Sequence, residues 1–517
     1  MFKMSIFLRN VVTGVACLAV SRRNFLVFSI FAAVALMMAA CVEDVAVTGV
    51  SLNESAITLD VAETVTLTAT FQPADATNRA VVWTTSNPLV ALVVNGAVTG
   101  VETGTAVITV TTVDGAHTAT CNVTVRSSVE RLTGPITTNR TLGIPHGTKE
   151  YLYDSDFNLE VENAAVLTIL PGTTIRFSRT DGGIRVTGGA TIVAEGLPKL
   201  LDAGGAPITV GGVELDGRIR FVGGATKGSW AGIEFSNTNA VVKLKYVDII
   251  NAGSSTAAHN HMAALMLYET RAEISHCLIS GGLVHGISMW DNGNIMVFNN
   301  NKVENVNGAP VFMRGTLAKL EKFDMTSDFT NNTNKYVQVI LPQFSRADVT
   351  INKTSVPYYF TSDMSLEDSK RLTINEGVTI YMGNDTYIRD SYGNGALTIN
   401  GAVENPVLFT RLPGAAYYWE YISLEGGTGH VINNCIFEYG GGSSDGGNGY
   451  DCMLRIDGAQ LTMNNVQFNN SYGYGIILAD FYGAIRLTHN NVTFKDNFKG
   501  NVRDRRSDPH QTLNELP

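Results

Sequence analysis

The feature that most constrains the fold of this 517-residue chain is that its larger part occurs twice. The segment WAGIEF at Trp230 returns as WEYISL at Trp419, 189 residues later (419 − 230). YVDIINAGSS from Tyr246 returns as CIFEYGGGSS from Cys435 at the same offset (435 − 246 = 189), and LTILPGTTIRF returns as LTINEGVTIYM. A constant offset predicts an ungapped duplication, in which each half is one structural unit.

A shorter period runs inside each half. GIEF, ALML and GISM recur in order, as do YVDI and HCLI, and glycine and asparagine stand at the expected corners. NNVQFNN and HNNVTFKDN alternate apolar residues with polar ones and are flanked by asparagines that we expect to stack in ladders from coil to coil. Because no single coil could bury its apolar face, the coils must stack. The sequence therefore predicts an all-β fold containing a duplicated right-handed parallel β-helix, a solenoid.

The repeat also has a family likeness. GALTINGAVENPVLFT, followed by the tryptophan motif and CIFEYGG, resembles the β-helix repeats of Bacteroidetes surface lipoproteins over roughly 130–500. The resemblance implies the fold and a place at the cell surface, but it points to no particular activity.

Residues 46–126 have a different pattern, with about seven short alternating strands separated by turns. VTLTATF, from Val65 to Phe71, places its apolar residues on one face and its threonines on the other. This pattern predicts an Ig-like β-sandwich with Cys121 in its core. FQPADATNRAVVWTTSNPLVALV and NGAVTGVETGTAVITVTT resemble the group-2 bacterial Ig-like domains of adhesins and surface enzymes. The resemblance implies a spacer or an adhesive module.

The N-terminus has the features of a targeting segment. Arg22 and Arg23 precede an apolar run that ends in small residues at Cys41, as in a signal peptide. A transmembrane anchor is the alternative, but Phe25 to Ala40 is shorter than the roughly 20 residues that span a bilayer. MMAAC resembles a lipobox, which implies lipidation of Cys41, and the acidic VEDVAV that follows resembles a surface-export signal. We therefore expect an outer-membrane lipoprotein, exposed at the cell surface, whose acylated Cys41 inserts into membrane lipid.

These patterns divide the chain into eight segments. They are a signal peptide (1–40), a lipidated tether (41–45), the Ig-like domain (46–126), a linker or N-terminal cap (127–150), the first β-helix half (151–308), a connecting segment (309–357), the second half (358–500) and a polar tail (501–517).

The charge balance argues against a nucleic-acid partner. The formal net charge is −10, and residues 1–40 carry four basic residues and no acidic ones, so the mature chain would have a charge of −14 (−10 − 4). An acidic chain without a basic stripe has no electrostatic footprint for nucleic acid.

Four cysteines follow Cys41, and they show no metal-ligand spacing. They are Cys121, Cys277, Cys435 and Cys452. Four scattered thiols do not form a disulfide framework, although pairing of Cys435 with Cys452 stays open.

Four of the nine histidines lie between positions 259 and 285. They are His259, His261, His276 and His285, and the duplicated positions hold Asn448, Tyr450, Asn465 and Tyr474. A metal site is conceivable on stacked coils. Because the second half lacks the cluster, we interpret these histidines as surface and corner residues, and we predict neither a metal site nor a cofactor.

The stretch GGGSSDGGNGYD, from Gly440 to Asp451, is a duplicated protrusion that corresponds to 251–262. No helix follows it to bind phosphate, and the ligand spacing of a calcium-binding EF-hand is absent. Loops on a rigid scaffold commonly carry function. We therefore expect ligand contacts in these two loops, and the candidate residues are Asp445, Tyr450, Asp451, His259 and His261.

Tyrosines gather around Trp419, at positions 417, 418 and 421. Because Trp230 and Trp419 are duplicated, we assign both to the core. Tyr417, Tyr418 and Tyr421 are not duplicated, and exposed aromatic rings on a solenoid suit the faces of sugar rings. They are candidate glycan contacts, with core packing as the alternative.

Catalysis has little support in the sequence. Sugar-cleaving β-helix enzymes need paired acids or a base beside a neutralised uronate, and neither pattern stands out, so enzymatic activity is uncertain and a non-enzyme is favoured. We predict a lipid-anchored surface protein that binds a polysaccharide or other glycan, or adheres, without catalysis. The alternatives are a polysaccharide lyase or glycoside hydrolase, and a purely structural surface protein.

Overall fold

The fold is that of a computed structural model. It describes residues 44–517 except 62, 127–128, 146, 211–212, 239–240, 256–262, 291–293, 316, 341–343, 346, 368, 391–394, 444–448 and 507–510.

The N-terminal unit is a small β-sandwich, as predicted. Its strands are β1 (Gly49–Leu52), β2 (Ala56–Asp60), β3 (Thr64–Thr66), β4 (Ala69–Gln72), β5 (Val81–Thr85), β6 (Ala91–Val94), β7 (Ala97–Gly100), β8 (Gly104–Thr112) and β9 (Thr118–Arg126). They form the sheets β2-β9-β8-β5 and β3-β7-β6 and the antiparallel pair β1-β4. Cys121 lies buried between the sheets, together with Leu59, Val98 and Ile108.

The segment VTLTATF keeps its predicted alternation of apolar and threonine side chains, but it is divided between two strands. VTLTATF forms two strands, because β3 pairs with β7 whereas β4 pairs with β1. The chain changes sheets at Leu67 and Thr68, where the Leu67 amide donates to the Gly96 carbonyl and the Thr68 amide donates to the Asn53 side chain. The alternation of apolar residues is the same for one strand or two, so the pattern could not reveal the break.

The rest of the chain consists of short strands. In the first half they are β10 (Glu130–Arg131), β11 (Arg140–Leu142), β12 (Lys149–Tyr153), β13 (Leu159–Val161), β14 (Val166–Ile169), β15 (Thr173–Phe177), β16 (Ile184–Val186), β17 (Thr191–Glu195), β18 (Thr209–Val210), β19 (Val213–Glu214), β20 (Ile219–Val222), β21 (Ile233–Ser236), β22 (Val242–Lys245), β23 (Val247–Ile250), β24 (Ala263–Tyr268), β25 (Arg271–Ser275), β26 (Leu278–Ser280), β27 (His285–Trp290), β28 (Asn294–Asn299) and β29 (Lys302–Glu304).

The connecting segment holds β30 (Val311–Arg314), a 3₁₀ helix (Leu317–Lys322), β31 (Val337–Ile340), β32 (Phe344–Ser345) and β33 (Val349–Ile351). The second half and tail contain β34 (Tyr358–Phe360), β35 (Met364–Leu366), β36 (Arg371–Asn375), β37 (Thr379–Met382), β38 (Ile388–Asp390), β39 (Ala396–Asn400), β40 (Val407–Thr410), β41 (Ile422–Glu425), β42 (His430–Glu438), β43 (Cys452–Asp457), β44 (Gln460–Asn469), β45 (Tyr474–Ala479), β46 (Arg486–Lys495), β47 (Gly500–Asp504) and β48 (Gln511–Leu513).

These strands build the predicted parallel β-helix. In the first half, successive coils add one strand each to a seven-stranded sheet, a six-stranded sheet and a sixteen-stranded sheet. The pairs between coils are parallel, for example β21 with β24 and β24 with β27. Apolar side chains from the seven-, six-, sixteen- and eight-stranded sheets fill one continuous core, which explains why no coil could be stable alone.

The two halves form one stack. The sixteen-stranded sheet runs through the connecting segment, where β30 pairs with β31 and β31 pairs with β34, all in parallel. The six-stranded sheet ends at β28, and the 3₁₀ helix packs against β28 and β33. Rings of Phe298, Phe323 and Phe329 gather there, with centroids 4.4–6.4 Å apart.

The duplicated strands change sheets at this junction. Strands β21, β24 and β27 lie in the sixteen-stranded sheet, whereas their duplicates β41, β43 and β45 lie in an eight-stranded sheet. Strand β23 lies in the seven-stranded sheet and β24 in the sixteen-stranded sheet, whereas β42 lies in the sixteen-stranded sheet and β43 in the eight-stranded sheet. The two duplicated connections therefore join different pairs of sheets.

The predicted ungapped duplication is wrong by one residue over a short stretch. Each corner residue has a positive φ, and these corners can be matched between the halves. His276 matches Asn465 at an offset of 189 (465 − 276), but Tyr246 matches Asn434 at 188 (434 − 246). The second half therefore lacks one residue in the turn before Asn434. It has one extra residue between Tyr439 and Cys452, which restores the offset of 189 (452 − 263).

The predicted asparagine ladder is confirmed. The Asn465 side-chain amide donates to the Asn434 oxygen at 3.0 Å, and the Asn491 amide donates to the Asn465 oxygen at 2.9 Å. These residues have φ values of 48–54°, a conformation that asparagine tolerates better than most residues.

The four described cysteines are all buried free thiols, so Cys435 and Cys452 are not paired. Burial raises the pKa of both thiols. Within the described part of the chain, no helix is long and apolar enough to cross a membrane.

Candidate functional site

Five of the nine residues predicted from the sequence to bind lipid or ligand are described by the structure. Cys41, His259, His261 and Asp445 lie outside the described residues. The other five all lie on the second half, around the buried Trp419 in sequence. They fall into separate groups, since Tyr418 contacts Tyr472 whereas Tyr421 contacts Tyr450.

The glycine run of the 440–451 loop makes this arrangement possible. A Cβ atom on Gly440 would lie 2.5 Å from the Trp419 ring, and one on Gly442 would lie 2.5 Å from the Tyr418 carbonyl oxygen. Both distances are shorter than side chains allow, so only glycine lets the loop cross the 417–419 segment so closely. The glycines that suggested a ligand loop therefore serve packing.

An exposed aromatic ladder runs along this corner of the solenoid, formed by Tyr418, Tyr472 and Phe498. The Tyr418 and Tyr472 ring centroids are 5.2 Å apart, and Tyr472 stacks on Phe498 at 5.8 Å. Tyr472 is 50% exposed and Phe498 is 77% exposed. The rings follow the coils, whose spacing in a β-sheet is about 4.8 Å.

A cavity of about 480 Å³ lies next to the ladder. Arg411 stands at the boundary, with its guanidinium 4.1 Å from the Tyr439 ring centroid and 5.1 Å from that of Tyr418. One of its nitrogens donates to the Tyr417 carbonyl at 3.0 Å. The lining includes hydroxyl groups from Thr379, Tyr381 and Thr410, apolar groups and the 411–414 turn.

Tyr417 is half-buried, and its hydroxyl group is enclosed by protein. Its hydroxyl lies near Tyr359 and the backbone of Leu412, but it makes no hydrogen bond of good geometry within the described residues. Burial and the neighbouring Tyr359 raise the pKa of Tyr417 to about 12. The Tyr417 hydroxyl is thus shielded from solvent, whereas the Tyr418 ring is part of the ladder.

A second row of tyrosines lies across the eight-stranded sheet. Tyr421 stacks on Tyr387 at 4.9 Å and contacts Tyr450 at 4.6 Å. Burial raises the pKa of all three hydroxyls, that of Tyr450 to about 12. Tyr421 is buried, so it covers the sheet and offers little surface to a ligand.

Two carboxylates lie side by side beneath this row. Glu425 and Asp457 are directly paired in the register of β41 and β43. Glu425 accepts hydrogen bonds from the Tyr450 hydroxyl and from Ser423, both at 3.1 Å. Burial raises the Glu425 pKa. The charge of Arg389 and these two hydrogen bonds lower it, but the effect of burial is larger.

Asp457 is held in place by charge. Arg455 forms a short ion pair with it, and the Tyr482 amide donates to it at 3.1 Å. The Arg455 guanidinium also lies 4.4 Å from the Tyr450 ring centroid. Glu425 is 3% exposed and Asp457 is 0% exposed, so no substrate reaches this acid pair in the present arrangement.

Asp451 anchors the end of the 440–451 loop. The Lys499 ammonium lies 2.7 Å from its Oδ2 atom, and an Arg503 nitrogen lies 3.9 Å from its Oδ1 atom. The side chain is buried, so its contacts explain the loop's position. Its proposed contact with a ligand stays a prediction.

Sequence reasoning missed three parts of this region. Phe498 follows the positive-φ corner at Asp496 by two residues, as Tyr472 follows the corner at Asn470, so alignment on corners would have found it. Arg411 gave no signal, because no repeat or motif marks it and its contact with Tyr439 joins two successive coils. The Glu425–Asp457 pair was hidden because two strands 32 residues apart (457 − 425) meet only when the coils stack.

Two of the four clustered histidines are described, and each packs against a ring. His276 lies 4.5 Å from Tyr246, and His285 stacks on Phe312 at 4.7 Å. His285 also accepts a hydrogen bond from the Ala309 amide through Nδ1, and burial lowers its pKa. Across the described ranges, no group of three or more His, Cys, Asp or Glu side chains is placed to hold a metal ion.

Comparison with known proteins bears on the N-terminal unit. Residues 46–123 match the family model of the bacterial Ig-like domain (group 2). The chain is 48% identical over 83 residues to an Ig-like virion protein of Serratia phage KSP90, a match that covers 16% of this chain and 32% of that protein. It is 42% identical over 80 residues to an uncharacterized protein of Clostridium acetobutylicum, covering 15% of this chain and 20% of that protein.

The predicted group-2 bacterial Ig-like domain is therefore confirmed, within residues 46–123. A domain of this class indicates a surface or virion-associated protein. The matched region is about a third of one relative and a fifth of the other, at 32% and 20%. The solenoid is not part of these matches, so its activity has to be argued from its own residues.

Proposed function

We propose that this protein is a cell-surface glycan-binding protein, held to the outer membrane by an acylated Cys41, in which the Ig-like domain serves as a spacer. The class of the Ig-like domain supports a surface location. The lipid anchor and the Bacteroidetes-type export route rest on the sequence alone, from the signal peptide through Cys41.

The aromatic ladder carries the binding part of the proposal. Tyr418, Tyr472 and Phe498 present ring surface outward from a rigid stack of coils, and the outermost ring is 77% exposed. Large exposed apolar surfaces on soluble proteins commonly mark interaction sites. Rings in a row, edged by polar side chains such as Arg411, suit a chain of sugar rings, whose faces are apolar and whose rims carry hydroxyls.

A glycan array followed by calorimetry tests this proposal. We expect the purified chain to bind one class of oligosaccharide, and the double variant Tyr472→Ala/Phe498→Ala to lose most of that binding. Phe157→Ala is a matched control, because Phe157 is 80% exposed but lies in the first half, away from the ladder. Equal binding by the double variant and the wild type would rule out the ladder as the contact.

The hydrolase alternative has one observation in its favour, the in-register pair of Glu425 and Asp457. A buried acid with a raised pKa beside an ion-paired one is the electrostatic arrangement that glycoside hydrolysis uses. Release of reducing ends from a polysaccharide panel, abolished by Glu425→Gln, would favour that function. We place it second because both carboxylates are covered.

A further inference from the structure

We infer that the bound glycan is acidic, and that Arg411 binds its carboxylate or sulfate group at the mouth of the cavity beside the aromatic ladder. This inference rests on the proposed function, since the ladder is the surface that would hold the sugar rings. It adds the chemical class of the ligand and the residue that selects it.

The setting of Arg411 is that of an anion-binding side chain. Its guanidinium carbon lies 4.1 Å from the Tyr439 ring centroid and 5.1 Å from that of Tyr418, in the angle between two rings whose centroids are 6.5 Å apart. These contacts and the bond to the Tyr417 carbonyl restrict the orientation of the group and leave its other N–H donors for a ligand. A planar edge of parallel N–H groups matches carboxylate and sulfate oxygens, which it can bind through two hydrogen bonds.

Arg411 also lacks a charged partner. Among the described residues its one hydrogen bond goes to a neutral acceptor, the Tyr417 carbonyl, and no carboxylate lies within ion-pair distance. Arg455 and Arg506 differ in this respect, because they form ion pairs with Asp457 and Asp504. A half-buried guanidinium without a counter-ion has lost part of its hydration. The charge of an anionic ligand would compensate for the free energy lost in this way.

The cavity has room and chemistry for a sugar. Its volume of about 480 Å³ exceeds that of a single monosaccharide unit, and its walls combine apolar groups from Leu408, Leu412 and Pro413 with the hydroxyls of Thr379 and Thr410. Ligand sites of this kind pair apolar walls with a few placed polar groups. Arg411 and Tyr439 line the cavity and also border the ladder, so one glycan can contact both.

The net charge of the chain makes the inference specific. At −14 for the chain without residues 1–40 (−10 − 4), the protein repels polyanions, so binding of an acidic glycan requires local positive charge. The geometry assigns that role to Arg411, and it does not distinguish a carboxylate from a sulfate.

The test uses pairs of ligands that differ only in charge. The full chain is titrated with a galacturonate oligosaccharide and its methyl ester, and with a sulfated galactan oligosaccharide and its desulfated form. We expect each acidic form to bind more tightly than its neutral partner, and the tighter of the two acidic forms identifies the anionic group. Arg411→Gln should weaken acidic binding by at least about tenfold, the effect of losing a charged hydrogen bond, while neutral binding stays within about twofold.

Two further variants separate charge from structure. Arg411→Lys keeps the charge but loses the planar fork, so it should recover only part of the affinity. Arg371→Gln is the matched control, because Arg371 is exposed on the same half and donates to Thr398, away from the cavity. Thermal unfolding of each variant shows whether the 411–418 turn is still folded.

The outcomes distinguish this inference from the proposed function. If neutral and acidic glycans bind equally, and Arg411→Gln binds like the wild type while the ladder variant does not, the inference is wrong and the proposed function stands. If no glycan of either charge binds the wild type, both are wrong. Loss of acidic binding in Arg411→Gln alone, with an unchanged melting curve, supports the inference.

Discussion

The two halves of the solenoid have the same interior and different exteriors. Trp230 and Trp419 are both fully buried, and each donates its indole N–H to a backbone carbonyl of the next coil, at 2.9 Å and 2.7 Å. On the outside the matching positions differ in chemistry, since Met266 and Tyr268 correspond to Arg455 and Asp457. Packing fixes the inward residues, whereas outward residues are free to change.

The ladder shows the same contrast. At the positions of Tyr472 and Phe498, after the equivalent corners, the first half has Leu283 and Asn307. Leu283 is partly exposed, and Asn307 accepts a hydrogen bond from Lys227 at 3.1 Å. The fold therefore does not require a ring at these corners, which makes the second half the place to look for ligand binding.

The largest expected effect tests the shared interior. Trp419→Ala and Trp230→Ala should each lower the free energy of unfolding by roughly 3–5 kcal/mol, because each removes a large buried ring and leaves a cavity. Chemical denaturation of the two variants measures this directly. A loss below about 1 kcal/mol in either one would show that the halves do not share the same core requirement.

Gly440→Ala tests why the second half needs its glycine run. Its Cβ would lie 2.5 Å from the Trp419 ring, so we expect a loss of about 1–3 kcal/mol from overpacking. The first half already has Ala252 after the equivalent corner, so Ala252→Gly should cost only about 0.5–1 kcal/mol. Equal effects in urea unfolding would mean that the tryptophan contact does not set the choice of glycine.

Asn465→Ala tests the asparagine ladder of the second half, where the first half instead stacks His276 on Tyr246. The change removes two side-chain hydrogen bonds and puts alanine at a φ of 54°, so we expect a loss of about 1–2 kcal/mol. Asn465→Gly removes the same bonds without the backbone strain. If the glycine variant is no more stable than the alanine variant, the corner conformation is not the source of the loss.

The smallest expected effect concerns pH. Burial holds the Glu425 pKa above its ordinary value of 4.5, so this group stabilises the fold most at low pH, and the contribution is lost as the pH rises through the raised pKa. Glu425→Gln should remove this part of the pH dependence. Melting temperatures measured between about pH 4 and pH 8 would show it, since that range brackets the ordinary carboxylate value.

Glu304 in the first half provides a control of opposite sign. The hydrogen bond from Lys302 lowers its pKa, so its contribution is present above 4.5 and is lost as the pH falls through the lowered pKa. Glu304→Gln should therefore reduce the fall in melting temperature at acidic pH. If Glu425→Gln and Glu304→Gln changed the pH dependence of the melting temperature in the same direction, the opposite directions assigned to the two pKa shifts would be wrong.

Much of the fold could be predicted from the residues because it is periodic. The duplication correctly predicted that Trp230 and Trp419 lie in the core, and the paired asparagines predicted the asparagine ladder. The alternation of apolar and polar residues located the Ig-like strands around Cys121. Of the candidate site, the sequence found Tyr418 and the surroundings of Trp419. Each of these inferences depends on local spacing or on a repeat, both of which are visible along the chain.

The remaining features depend on how the coils stack. The sequence alone did not determine that the connections β23–β24 and β42–β43 join different pairs of sheets, because this follows from the continuation of the sixteen-stranded sheet through β30, β31 and β34. Nor did it determine that Phe498 extends the ladder, that Glu425 meets Asp457, or that Arg411 packs against two tyrosine rings beside a cavity. Such contacts join residues on separate coils or turns, and their geometry is set by loop lengths and strand register. Periodicity determined the scaffold, and only the tertiary structure decided which side chains share a surface.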